Sequence, residues 1–517
     1  MPQFSKHLTP YLLFCAIVFS QGAILFGLDT GSFGSLQALP SFLARFGVPA
    51  AKGKHVLPAT RKSLMNSLPW IGKISGCFLS EPIIERLGFK RTMYTVATIQ
   101  CVALIIEMSA HVWSQFTIGR ILAYLAVGIV ENATPSYNSE IAPAEMRGII
   151  GGSIIVFSSL GNLWGAGMSR AYATGLEDKN WMIPTAMQFI PAVLLASLVP
   201  FTVESPRWLI SKGRREEAQR NLDKLRRPGE VQDGSTAAEL DIIENLVQES
   251  RTNKEGSWLD LFRGNYLRRT WIAASLFIFE QTNGNQFTQS YSATFYVQEG
   301  LGSMSFTYST LGQVVGLIGA AGGIFIMDLL GRRTAFIGGS AVTAMFLLLA
   351  AGLGLKEHKS QSTANFIIAS FIIVPATTRI SASNCAFLTG AEIGGLKMRK
   401  KIMAFGTACD VLAAFLVTFV TPYILPALGV NIGWIFGGVA ILCVPWGYLF
   451  FPELKGRSLE EVDELFEANL RAWQFSKYQT TGEASTLRAL ENQDHSPDTS
   501  KRPETAEYLE DSGSVKV

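Results

Sequence analysis

The chain has 517 residues, of which 48% are hydrophobic and only 16% charged, where a soluble domain carries about 25% charged. That balance excludes an ordinary soluble enzyme, and a formal net charge of +3 is too small to point to nucleic acid. The six cysteines, Cys15, Cys77, Cys101, Cys385, Cys409 and Cys443, all fall in apolar runs, which leaves neither a disulfide framework nor a metal spacing.

The first apolar run, from Leu12, continues for about the length of a membrane span, so no cleavable signal peptide is expected. Taking roughly twenty apolar residues per crossing, the sequence predicts spans near 10–34, 64–84, 92–112, 117–138, 149–172, 182–202, 270–297, 306–328, 334–355, 364–391, 402–426 and 431–451. They divide six and six around a stretch rich in Arg, Glu and Lys. The expected organisation is an N-terminal bundle at 1–202, a cytoplasmic helical linker at 203–269, a second bundle at 270–451 and a cytoplasmic tail at 452–517. Within the linker, Leu240, Ile243, Leu246 and Val247 recur at helical spacing amid acidic neighbours. The tail opens with Ser458 and Glu461 in capping-box spacing, and beyond about residue 475 its composition is that of a disordered segment.

Asn132-Ala133-Thr134 fits the glycosylation pattern but lies in mid-span and is discounted. Most of the 44 Lys and Arg fall on one side if both termini and the linker are cytoplasmic. Arg86, Lys90, Arg91, Arg332, Arg333, Lys397, Arg399, Lys400 and Lys401 support that orientation, while Arg45, Lys52, Lys54, Arg61 and Lys62 in the first outside loop oppose it. The halves repeat. Gly88 with Lys90-Arg91 corresponds to Gly331 with Arg332-Arg333, Glu140 to Glu392 and Glu204 to Glu453, each pair roughly 250 residues apart. Two repeats with a site between them at mid-depth are a transporter architecture.

Ionisable residues inside spans mark pathways, coupling groups or paired charges, because lipid makes them expensive. The segment Gly119 to Gly148 carries Arg120, Glu131, Glu140 and Arg147, and Glu392 and Arg399 repeat its ending. Its neighbours Pro135-Ser-Tyr137-Asn-Ser-Glu140-Ile-Ala-Pro143 join Gly27-Leu-Asp29-Thr-Gly31, Glu204-Ser-Pro-Arg207-Trp208-Leu209, Gly331-Arg332-Arg333 and Pro452-Glu453-Leu-Lys455-Gly456-Arg457. With these motifs in this order, the chain resembles the sugar porter family of the major facilitator superfamily, fungal branch, over nearly all of 1–470. The resemblance implies an all-α membrane protein of twelve transmembrane helices in two six-helix bundles, the major facilitator fold. It implies alternating access, a sugar or sugar-like polyol as substrate, protons as co-substrate, and neither cofactor nor enzymatic activity.

The resemblance further implies roles for particular residues. Asp29 and Arg120 are expected to form the proton-coupling pair, the bland alternative being a structural ion pair. Arg91, Glu140, Arg147, Glu204, Arg207, Arg333, Glu392, Arg399 and Glu453 are expected to form an inner gate, against the alternative of simple topology anchors. The substrate-binding residues are expected to be Glu131, Glu280, Gln281, Asn283, Gln286, Tyr291, Phe387 and Asp410, with Gln289 a further polar liner. Here the sequence departs from the family pattern. Glu280 stands in place of a glutamine, Ile155 of a glutamine, Phe387 of a tryptophan and Asp410 of an asparagine. With Lys73 and Arg379 also in spans, the cleft is more charged than a hexose needs. Each liner taken singly also reads as a helix-to-helix hydrogen bond.

Gly151-Gly152 and Gly319 to Gly323 are read as packing sites, and no Walker pattern is present, which excludes ATP-driven transport. His7, His55, His111, His358 and His495 are scattered and suggest no metal. Proton symport of a sugar or polyol across the plasma membrane is the leading expectation. Transport of a polar non-sugar metabolite such as an organic acid, in either direction, is the alternative, and a transport-deficient nutrient sensor is a third.

Overall fold

The computed structural model describes residues 9–50, 55–142, 147–252, 257–356, 360–457, 459–468, 470–478 and 480. The capping residue Ser458, the tail beyond 480 and His7, His358 and His495 lie outside the described residues, as does the side chain of Arg147.

Among the described residues, twelve helical spans cross the molecule. Those of the first half are Pro10–Leu36, Ala59–Ser67 running on into Pro69–Leu87, Phe89–Met108, Trp113–Ile141, Arg147–Ala171 and Lys179–Phe201. Those of the second half are Gly264–Thr282 with Asn285–Gln298, then Met304–Leu330, Arg332–Gly354, Gln361–Glu392, Gly395–Leu428 and Ile432–Leu449. Seven stretches of the described residues are long and apolar enough to cross a membrane, the last of them covering both the eleventh and twelfth spans. The second, third, fifth and seventh spans are not among these seven. Lys73, Gln100, Glu107, Asn162, Glu280 and Gln281 sit in them, all buried, so these helices turn polar groups inward rather than toward lipid.

The packing repeats as the sequence does. The first span lies on the fifth as the seventh lies on the eleventh, and the second on the fourth as the eighth on the tenth. The third packs on the fourth and sixth, and the ninth on the tenth and twelfth. Between the halves, the first span meets the seventh, the second the eleventh and the fifth the eighth.

The first and seventh spans are each interrupted. The first is interrupted at Gln21-Gly22, and the seventh at Asn283-Gly284, where Gly284 adopts the left-handed φ of 102°. The tenth span contains Pro375 and then a π-helical turn at Arg379–Ser383, a wider winding that is common at functional sites.

Among its described residues the linker forms four α-helices, Pro206–Ser211, Arg215–Leu225, Pro228–Gln232 and Ser235–Thr252. Leu240 and Val247 pack with Leu209, Ala218 and Leu222. The linker shares one end of the molecule with the tail helix Leu459–Glu467. There Thr9 donates to the Leu225 carbonyl at 3.0 Å, Arg226 to that of Ile141 at 3.2 Å and Arg268 to that of Leu470 at 2.7 Å. At the opposite, far end a short helix Pro40–Phe46 precedes a two-residue antiparallel pairing of Val48–Pro49 with His55–Val56.

At the linker end, each half keeps its own apolar core, one built from Leu12 to Leu225 and the other from Leu261 to Phe475. At the far end a single cluster of Phe33, Phe42, Phe46, Phe116 and Trp181 also takes in Ala293 and Phe306 of the second half. The halves are thus sealed together at the far end and separately packed at the linker end.

Candidate functional site

Asp29 sits in the first span between Gly27 and Gly31, and both residues' Cα atoms lie against the fifth span. A Cβ at either would run into the backbone at Ser158 or Asn162. The glycines therefore let the first and fifth helices touch, and that closeness leaves Asp29 facing the fourth span. Arg120 meets it with Nη2 on Oδ2 at 2.6 Å and Nε on Oδ1 at 3.4 Å. Its remaining Nη1 donates to the Met65 carbonyl at 2.7 Å, and its plane lies 3.7 Å from the Phe33 ring centroid. Both residues are 2% exposed. Glu107 of the third span, 1% exposed, lies within electrostatic reach of both, and its Oε1 has no hydrogen-bond partner. Two carboxylates thus share one guanidinium in a buried pocket.

A second cluster lies in the seam between the halves. Lys73 of the second span places its ammonium 3.0 Å from Glu131 of the fourth and 3.9 Å from Asp410 of the eleventh. The rings of Phe26 and Trp70 hold that ammonium at 4.7 and 4.9 Å from their centroids. Gln281 of the seventh span donates to Asp410 at 2.6 Å. Glu280, beside it, accepts from Ser383 on the π-helical turn and feels Asp410, Lys73 and Glu131. Trp70, Tyr124, Val411 and Ala414 close the cluster with apolar contacts from both halves.

The remaining expected liners divide. Asn283 is fully buried with an unpartnered Nδ2, its Oδ1 accepting the Asn285 N–H at 3.2 Å. Gln286 donates to Ser290 at 2.8 Å, Gln289 to Asn285 at 2.9 Å, and Tyr291 to the Thr418 carbonyl at 2.6 Å. The Tyr291 hydroxyl is thus occupied in joining the seventh and eleventh spans. Phe387 is half-buried, edge-on to Phe277 with centroids 5.3 Å apart.

At the linker end, two glutamates do the same job in the two halves. Glu204 accepts from the backbone N–H groups of Phe89 at 2.9 Å and Lys90 at 3.2 Å, which open the third span. Glu453 accepts from Arg332 at 3.0 Å and Arg333 at 3.1 Å, which open the ninth. The first N–H groups of a helix lack partners inside it and sit at its positive dipole end, so a carboxylate is the natural cap. Gly88 and Gly331, with φ of 81° and 90°, make the preceding turn. Burial pushes the Glu204 carboxyl up from its ordinary range, against the downward pull of the Lys90, Phe89 and Ser205 N–H groups. Glu392 pairs with Arg332 at 2.9 Å, with Arg399 in electrostatic reach. Glu140 accepts from the Ser205 hydroxyl, with Arg207 and Lys400 in electrostatic reach. Arg333 donates to the Tyr448 carbonyl at 2.7 Å, and Arg91 and Arg207 are exposed.

Residues 14–466 match the profile of the family described as Sugar (and other) transporter. A low-affinity glucose transporter, HXT4, of Saccharomyces cerevisiae is 27% identical over 89% of this chain and 81% of its own. Hexose transporter 2 of Kluyveromyces lactis is 28% identical over 92% and 85%. The xylose transporter XylE from E. coli in an inward open conformation superposes with a TM-score of 0.71 at 22% identity, over 88% of this chain and 100% of that one. The proton:xylose symporter XylE bound to 6-bromo-6-deoxy-D-glucose gives 0.70 at 22%, over 88% and 99%. The chain belongs to the sugar porter family. It is a multi-pass membrane protein with the major facilitator fold.

Of the residues expected to serve this sugar porter, the structure brings together Asp29 with Arg120, and Glu131, Glu280, Gln281 and Asp410 with Lys73. Sequence reasoning missed Glu107, although the rule that flagged Glu131, a glutamate in an apolar run, applies equally to it. It also named Arg333 among the gate residues and left out Arg332, which is the one paired with Glu392. Adjacent basic residues at a helix start point in different directions, and the motif alone does not choose between them.

Proposed function

We propose that this sugar porter is a proton-coupled symporter that moves a sugar or sugar-like polyol by alternating access. The observation that carries the reading is the buried Asp29–Arg120 pair with Glu107 beside it. Two carboxylates and one guanidinium leave a position for one proton, and a proton on Asp29 removes the charge that draws Arg120 to the first span. Arg120 then keeps its bond to the Met65 carbonyl of the second span, while the first span, left with only the Phe33 ring against the guanidinium, is released to move on the fourth. One proton entering down about 100 mV supplies roughly 2.3 kcal/mol, which supports accumulation of about fiftyfold. The names of the relatives, glucose and hexose transporters and a proton:xylose symporter, agree with this substrate class and coupling.

In this reading the solute binds in the seam between the seventh, tenth and eleventh spans and the second and fourth. It leaves through the linker end, where the halves pack separately. Glu140, Arg147, Glu204, Arg207, Glu392, Arg399 and Glu453, with Arg91 and Arg333 nearby, form the inner gate. The caps on the third and ninth spans keep that rim rigid within each half, and Arg91 and Arg207, exposed at the rim, are placed to pair across it when it closes. The linker end faces the cytoplasm and the protein resides in the plasma membrane, with the lipid bilayer as its other partner. An organic anion is disfavoured as substrate, because three of the four charged groups in the seam cluster are carboxylates.

The test is made in proteoliposomes lightly buffered outside. Adding a transported hexose is expected to raise the external pH, and a protonophore to abolish its accumulation. Hexose equilibration with no pH shift and no protonophore effect overturns the coupling.

A further inference from the structure

The seam cluster has a charge balance that a neutral sugar leaves unmet. Glu131, Glu280 and Asp410 gather around one ammonium, that of Lys73. The groups facing Glu280 are Asp410 from the eleventh span, Ser383 from the tenth, Lys73 from the second and Glu131 from the fourth. The Cys77 thiol lies beside Lys73. Arg379, a cation of the tenth span, is turned away and donates to Gln313 on the eighth at 2.9 Å. Lys73 is pinned between Glu131, Asp410 and two aromatic faces, so its ammonium is already committed. Formally the cluster holds two more negative charges than positive ones, in residues that include Lys73 and Asp410 at 2% exposure and Glu280 at 6%. Burying unmatched carboxylates is expensive, so the cluster is built to receive positive charge.

The unpartnered atoms point the same way. Glu280 Oε2 and Gln281 Oε1 are both buried acceptors without a donor, each on a side chain that already reaches into the cluster. An ammonium offers three donors and no acceptor, which suits this set, whereas a hydroxyl offers one donor and no charge. The Phe26 and Trp70 faces that hold Lys73 also favour a cation nearby.

We propose that this cluster is a subsite for a protonated amine, so that a sugar-like solute bearing a cationic nitrogen is a preferred substrate. The proposal rests on the sugar-transport reading above and specifies it: Glu280 and Gln281 receive the amine, while Asn283, with its unpartnered donor, takes a ring hydroxyl.

The full-length protein in nanodiscs is titrated with D-glucosamine, D-glucose, N-acetyl-D-glucosamine and D-glucuronate, which keep the ring and change only the charge. The amine is expected to bind about tenfold or more tightly than the two neutral sugars, the range of a hydrogen bond to a charged group. Glucuronate is expected not to bind. In Glu280→Gln, and separately in Asp410→Asn, the preference for the amine is expected to fall toward unity. With the unaltered protein, raising the pH until the amine is neutral is expected to remove the advantage of glucosamine without moving the affinity for glucose. Equal binding of glucosamine and glucose, or a preference that survives both substitutions and the pH change, overturns the amine subsite while leaving sugar transport intact. If no sugar of any charge binds, it is the sugar-transport reading that fails.

Discussion

Asp29 and Arg120 meet through two hydrogen bonds, and every other donor direction of the guanidinium that the structure describes leads to Met65, Tyr124 or an aromatic face. Such a pair has two chemical fates: it is a fixed strut between the first and fourth spans, or it is a latch opened by a proton. Asp29→Asn separates them, because the amide keeps the shape and loses the charge. Accumulation is expected to fall from as much as about fiftyfold to no gradient at all, while counterflow exchange of labelled solute continues. Undiminished accumulation in the variant would assign the pair to structure alone. Glu107 sharpens the expectation, since it is a second carboxyl within electrostatic reach of Arg120 and can take over as its partner when Asp29 is neutral.

Helix breaks supply the geometry that single residues exploit. The seventh span stops at Thr282, just after the Glu280 and Gln281 that face the seam, and restarts at Asn285, which bonds with Ser383 and Thr378 of the tenth. Gly284 makes the break with a φ of 102°, a region costly for any residue with a Cβ. In Gly284→Ala the added methyl would meet the side chains of Leu347 at 3.3 Å, Phe436 at 3.6 Å and Val374 at 3.7 Å, only the first of them tight, so crowding is slight and the penalty is conformational. A loss of about 1–3 kcal/mol is expected, read as a lowered thermal midpoint of the purified protein together with reduced transport. A midpoint equal to that of the native protein would show that the break carries no strain. The caps on the third and ninth spans work differently. Glu204 and Glu453 satisfy backbone donors that no intrahelical carbonyl can reach, which fixes where each helix begins.

Across the whole molecule the two halves touch unevenly. Toward the far end Gln37 donates to the Ser290 carbonyl at 2.5 Å, Ser63 to that of Phe419 at 2.6 Å and Thr310 to that of Ala166 at 3.2 Å, beneath a shared aromatic cluster. Removing the first two bonds by Gln37→Ala with Ser63→Ala withdraws about 2 kcal/mol from this seal, enough to move a two-state equilibrium roughly thirtyfold. Spin labels at the exposed far-end positions Val112 and Met304, in a background without native cysteines, are expected to report a longer, more populated separation in the double variant. An unchanged distance distribution would mean that the aromatic cluster alone holds the far end closed.

Much of this was legible before any fold was in hand. Span length follows from the thickness of a bilayer, so composition alone placed twelve crossings, and the recurrence of Gly88 in Gly331, Glu140 in Glu392 and Glu204 in Glu453 disclosed two halves. The sequence also singled out Asp29, Arg120, Glu131, Glu280 and Asp410, because an ionisable group is costly in a span, although Glu107 was passed over. What it left open was which charges meet. Lys73 and Asp410 belong to different halves, and Glu204 binds backbone amides that no side-chain motif records. Helix periodicity fixes only the face on which a residue lies. Which faces are pressed together, and so which carboxylates must share a cation, was decided by the packing of spans distant in sequence.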